Sequence, residues 1–178
     1  YSIGFRAPSH SAIVDELSHD IAQTLNNDLR FTDPYLKLQN NPGEINAEAI
    51  TQIQAIIQQH FTAENIAHWF GKHMTERKYG QDDIESEDEI TADDWQAALA
   101  EGNMLWRHPA ARLAFHTEGD CTQLFADGQA LNCSRELAEL VCAKVEITWD
   151  DIKPLVEDLF DRAAITQLIN QETLLVDE

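Results

Sequence analysis

Between residues 81 and 101 the chain carries nine acidic residues and no basic one. Asp82, Asp83, Glu85, Glu87, Asp88 and Glu89 crowd into the first half of that stretch. Mutual repulsion and the cost of dehydrating carboxylates keep such a segment out of any core. Residues 81–90 are therefore expected to be a solvated linker between two modules. The flanking segments are better balanced: residues 1–80 hold nine acidic and six basic side chains, and residues 102–178 hold fourteen and six. The three segments carry −3, −9 and −8, for a net charge of −20 over 178 residues. A field of that sign repels phosphate backbones and anionic lipid, so neither nucleic acid nor a membrane surface is an expected partner. Apolar content, at 43%, is ordinary for a globular protein. Cys121, Cys133 and Cys142 are odd in number and lack metal-type spacing, and no signal peptide opens the chain, which points to the cytoplasm.

In the first module Ile13, Val14, Leu17, Ile21 and Leu25 recur at helical spacing, with Ser9 or Ser11 as N-cap and Asn26-Asn27 as the stop. Asp33-Pro34 and Asn41-Pro42-Gly43 mark a loop. A second helix is expected after Asn46, striped by Ala49, Ile50, Ile53, Ile56, Ile57 and Phe61. Thr62 can cap a third, with Glu64 in its first turn and Ile66, Trp69, Phe70 and Met74 on its apolar side. Three helices in so short a module make a small core for this much isoleucine and aromatic surface. Self-association would cover the excess, with Ile50, Ile53, Ile57, Trp69 and Phe70 as candidate contacts in a homodimer.

The second module opens on a helix from about Thr91 to Glu101, boxed by Thr91 and Asp94 and stopped by Gly102. Strands are predicted at Met104 to Arg107, Arg112 to His116, Cys121 to Ala126 and Gln129 to Leu131, the last two joined by an Asp127-Gly128 hairpin turn. Helices follow from Ser134 to about Lys144, after Thr148 with an interruption at Pro154, and through Leu159, Phe160, Ile165, Leu168 and Ile169. A strand from Thr173 to Val176 completes a winged-helix-like α+β module. The fold class expected is thus mainly α with an α+β module after it.

Catalytic constellations are sparse. His68 and His73 lie five residues apart, which on a helix turns them about 140° from a shared face. His116-Thr117-Glu118 has the His-x-carboxylate form of an iron facial triad, but no histidine follows it to complete the set. A strand running into the Gly119 turn is the better reading of those residues. There is no GxSxG, no cysteine beside a candidate histidine and no glycine-rich phosphate loop. The acidic run lacks the ligand alternation of a calcium loop. The Ser134 to Lys144 helix sets Arg135 and Lys144 against Glu136 and Glu139, leaving no basic face for DNA.

Tyr1 is not a start methionine, and Tyr1 to Phe5 is expected to be a strand whose neighbours lie in a longer chain. The run Tyr1-Ser2-Ile3-Gly4-Phe5-Arg6-Ala7-Pro8 resembles the end of the catalytic domain of the bacterial ribosomal oxygenases, cupin-fold enzymes of JmjC type that include a ribosomal protein arginine hydroxylase. The resemblance continues in order through the helix after Ser11, the Phe31 to Tyr35 segment, His68-Trp69-Phe70-Gly71, the Asp127-Gly128 hairpin and the helix after Thr148. It implies residues 1–8 as the final strand of a cupin domain, 9–80 as a helical dimerisation region, 81–90 as the linker and 91–178 as a winged-helix-like domain. It also implies that the Fe(II) ligands, an HxD pair and a distal histidine, lie upstream of Tyr1. The 178 residues alone are then expected to hold neither iron nor 2-oxoglutarate and to be inactive. Ser2, sharing a strand face with Gly4, would stand on the co-substrate pocket wall of the parent enzyme.

The leading expectation is a dimerisation and substrate-docking part of an Fe(II)/2-oxoglutarate-dependent ribosomal protein hydroxylase. Its acidic surface would attract a basic ribosomal protein. The alternative is a free-standing acidic adaptor with no enzymatic parent. A DNA-binding regulator ranks below both on charge.

Overall fold

The computed structural model describes residues 7–32, 41–77 and 89–177. The expected strand at Tyr1 to Phe5 with Ser2, the Asp33-Pro34 loop and the linker from Asp82 to Asp88 lie outside these residues. Two compact units divide the chain, 1–69 and 70–178.

In the first unit Ser9 Oγ accepts the Ala12 N–H at 3.1 Å and starts α1 (His10–Thr24). Asn46 Oδ1 accepts the Ala49 N–H at 2.7 Å and starts α2 (Ala47–His60). Thr62 Oγ1 accepts the Asn65 N–H at 3.2 Å at the head of α3 (Ala63–Thr75). Each cap satisfies a backbone donor that a helix end leaves without a partner. The core is small: Leu17, Ile21 and Trp69 are buried, with Ile13, Leu25 and Phe61 packed against them. Val14, expected on the apolar stripe of α1, is instead exposed, because so narrow a core covers only part of the helix face.

The boundary between these compact units falls inside α3, between Trp69 and Phe70. In the second unit the last turns of α3 are drawn onto a β-hairpin. A Cβ on Gly71 would lie 2.4 Å from the Phe125 ring, so only glycine permits this approach. Ile66, Phe70 and Met74, expected on the inward side of α3, are exposed, and Gly71 and Thr75 are buried in their place. The inward side here is selected by small size, a property that hydrophobic periodicity does not register.

The rest of the second unit runs α4 (Ala92–Ala100), β1 (Leu105–Arg107), β2 (Leu113–Glu118), β3 (Cys121–Ala126), β4 (Gln129–Cys133), α5 (Arg135–Ala143), β5 (Glu146–Ile147), α6 (Trp149–Ile152), α7 (Leu159–Asn170) and β6 (Leu174–Val176). Two antiparallel sheets form, ordered β5-β1-β6 and β2-β3-β4. Asp127 and Gly128 take φ of 50° and 85°, as expected for the two-residue turn between β3 and β4. Strand β5, only two residues long, is absent from the sequence expectation because so short a run has no readable alternation. Trp95, Leu105, Leu137, Ile147, Ile165 and Leu168 anchor the core. Buried Asp161 accepts the Ser134 N–H and Oγ–H, both at 2.6 Å, and so ties α7 to the start of α5.

Candidate functional site

Helix α2 is the most unusual surface of the first unit, since none of its side chains is buried. Ile50, Ile53 and Ile57 follow i, i+3, i+7 spacing and lie on one face, 49%, 44% and 49% exposed. Glu48 in the first turn and His60 in the last agree with the helix dipole, so α2 is well formed locally. Of the other candidate contacts, Phe70 is exposed on α3, whereas Trp69 lies in the core of its own unit beside Leu17 and Ile21. Trp69 thus packs within its own unit, unlike the half-exposed isoleucines of α2. Ile56, in the sequence stripe but not among the chosen contacts, is also exposed.

The second unit contains a polar clasp that sequence reading sees only as a turn. Asp127 Oδ2 accepts from Arg77 Nη2 at 2.6 Å and Thr173 Oγ1 at 2.7 Å, while Oδ1 accepts the Arg112 N–H at 2.9 Å. The Gly128 N–H donates to Thr75 Oγ1 at 3.1 Å. Burial pushes the Asp127 carboxyl upward, but the hydrogen bonds from Arg77, Arg112 and Thr173 outweigh it, and the group is held below the ordinary carboxylate range. One carboxylate thus joins residue 77, the hairpin and the start of β6.

Reactive chemistry is otherwise muted. Cys133 is buried, and burial, reinforced by Asp161 and Cys142, pushes its thiol up to about 12. Such a thiol is no nucleophile near neutral pH. On α5, Arg135 is paired with Glu139 at 2.7 Å, and Lys144 after it with Asp151 at 2.5 Å, so these cations face carboxylates. Asp151 is held low chiefly by that lysine. His116 and Glu118 lie on β2 opposite Gln123 and Cys121. Among the described residues no three His, Cys, Asp or Glu side chains converge as a metal site would require, so these residues do not fit an iron centre.

Comparison with known families places this architecture. The family described as ROXA-like winged helix matches residues 55–174. The chain belongs to the ROXA-like winged helix family. The matched region therefore includes α3 to α7 and β1 to β5, and ends at Leu174, the first residue of β6. The chain is 20% identical over 172 residues to the ribosomal protein uL16 3-hydroxylase of Escherichia coli strain K12, covering 96% of this chain and 45% of that protein. Among solved structures, E. coli ycfD superposes with a TM-score of 0.79 at 19% identity, over 98% of this chain and 46% of its own. The E. coli ribosomal oxygenase YcfD in complex with cobalt and 2-oxoglutarate gives a TM-score of 0.78 at 18% identity, over 99% and 48%. The chain thus spans about half the length of these relatives, and its ROXA-like fold is shared with them. No helix among the described residues is long and apolar enough to cross a membrane.

Proposed function

We propose that this chain is the C-terminal, non-catalytic part of a cytoplasmic ribosomal protein hydroxylase of the cupin/JmjC type. The observation that carries the reading is the fold likeness, at TM-scores of 0.78 to 0.79, to ribosomal oxygenases along nearly the whole chain. In such an enzyme Fe(II) and 2-oxoglutarate activate O2 for side-chain hydroxylation, and their ligands belong to residues upstream of Tyr1. Residues 9–80 then form the dimerisation region, residues 81–90 the linker and residues 91–178 the winged-helix-like domain.

The isoleucine face of α2 supports the dimeric role. Three half-exposed isoleucines on one helix face form an apolar stripe, and closing it against a second copy would remove it from water. The net charge of −20 supports the docking role, because ribosomal proteins are generally basic and opposite fields raise encounter rates. The same charge, with the paired cations of α5, argues against direct contact with nucleic acid.

The test has two arms. Light scattering on the chain should give about twice 20.1 kDa, and a monomer at high concentration would remove the dimeric role. Calorimetric titration with ribosomal protein uL16, the protein named in the E. coli relative, should show binding that weakens with salt. Absence of heat at low salt would remove the docking role.

A further inference from the structure

Strand β2 stands at the end of its sheet, whose order is β2-β3-β4, and among the described residues no strand pairs with its outer side. The register with β3 runs unbroken from Leu113 opposite Ala126 to Glu118 opposite Cys121, so no bulge bends the edge. The run Leu113-Ala114-Phe115-His116-Thr117-Glu118 contains neither lysine nor proline, residues that commonly keep such an edge from pairing.

The hydrogen-bond phase fixes which groups this edge presents. The Asp127 N–H donates to Arg112 O at 3.0 Å, so Arg112 directs its carbonyl at β3, and by alternation Ala114, His116 and Glu118 direct their backbone groups the same way. Leu113, Phe115 and Thr117 therefore turn their N–H and C=O outward, and among the described residues no hydrogen bond engages those groups. None of the three is buried, and Phe115 is 38% exposed. Arg112 and Glu118, at the two ends of the edge, share the face opposite Phe115. Neither has an ion-pair partner among the described residues, and Arg112 Nη1 makes one long hydrogen bond, to Glu76 O at 3.4 Å.

We propose that two copies of this chain pair edge to edge along β2, antiparallel about Phe115, joining two three-stranded sheets into one of six strands. Phe115 then meets its own counterpart, Leu113 lies opposite Thr117 of the second copy, and Arg112 lies opposite Glu118, twice by symmetry. The occupant follows from this self-complementarity: an edge with a cation at one end and an anion at the other matches itself reversed. The net charge of −20 opposes the approach of two copies, but at about 0.15 M salt that field is screened beyond about 8 Å, whereas directly opposed side chains act at shorter range. So short an edge buries less than the roughly 1,200 Å² of a standard interface, and the pairing is weak and concentration-dependent. This surface is separate from the α2 face and does not rest on it.

The experiment uses the full chain carrying Ile53→Glu and Ile57→Glu, which takes the α2 face out of the measurement, in sedimentation equilibrium from about 10 µM to about 1 mM. The mass should rise from 20.1 kDa towards twice that value at the top of the range. Thr117→Pro deletes an outward N–H without touching the ladder to β3, and should abolish the rise. Arg112→Glu and Glu118→Arg, added singly, should each prevent self-association, because each sets like charges opposite one another in both outer pairs. The two variants mixed should associate, since opposite charges then meet in both pairs. Loss of fold cannot imitate that result, because the mixture regains what each variant alone lacks. A mass fixed at 20.1 kDa up to about 1 mM, association untouched by Thr117→Pro, or a mixture that stays monomeric would each overturn the pairing.

Discussion

Asp127 is at once a turn residue and a clasp, and only the first role is visible locally. Its φ of 50° beside Gly128 follows from an Asp-Gly pair between two alternating runs. Its partners Arg77 and Thr173 stand 50 and 46 residues away, a distance over which no spacing rule operates. Because the folded carboxyl titrates lower than an unfolded one, its stabilisation is present at neutral pH and is lost as acid protonates it. Asp127→Asn should cost about 1–3 kcal/mol in urea unfolding at pH 7, and the gap from the parent chain should close below about pH 4. Gly71 is equally local in origin and distant in effect. With Phe125 atoms 2.4 Å from where a Cβ would sit, Gly71→Ala should lose about 1–3 kcal/mol, and Phe125→Leu in the same chain should recover part of that loss.

At the scale of elements, capping chemistry carries most of what can be read beforehand. Ser9, Asn46, Thr62, Thr91 and Ser134 each sit where a side-chain oxygen meets a helix N-terminus, and the helices begin there. Cys121 to Ala126 is found as a strand with the predicted limits. Periodicity fails where inwardness depends on size, as in the second half of α3, and where a strand is as brief as β5. It also cannot say which apolar stripe is covered by the chain itself: Trp69 is, and the α2 isoleucines are not. Paired Ile53→Glu and Ile57→Glu substitutions should therefore halve the mass seen by light scattering while leaving the helical circular dichroism unchanged. A drop in helicity would instead mean that these residues hold the unit together.

For the whole molecule, charge is the property most fully available from composition and the one with the longest reach. A net charge of −20 makes the folded chain repel itself, and added salt screens that repulsion. The melting temperature should rise between about 0.05 and 0.5 M sodium chloride, and a fall would show that ion pairs such as Arg77 with Asp127 outweigh the general field. The candidate sites are less legible than the fold. The α2 face can be named from isoleucine spacing, but the open edge of β2 exists because β3 and not β2 is central in its sheet, and the alternation within residues 113 to 118 does not report that order.

The pairing of Leu105 with Val176 carries a consequence for how the protein is made. Strand β1 emerges from the ribosome long before β6, and until Val176 follows, Leu105 has no neighbour on that side. A newly synthesised chain must hold an incomplete sheet through most of the winged helix, so this sheet closes only after the residues of β6 have been made.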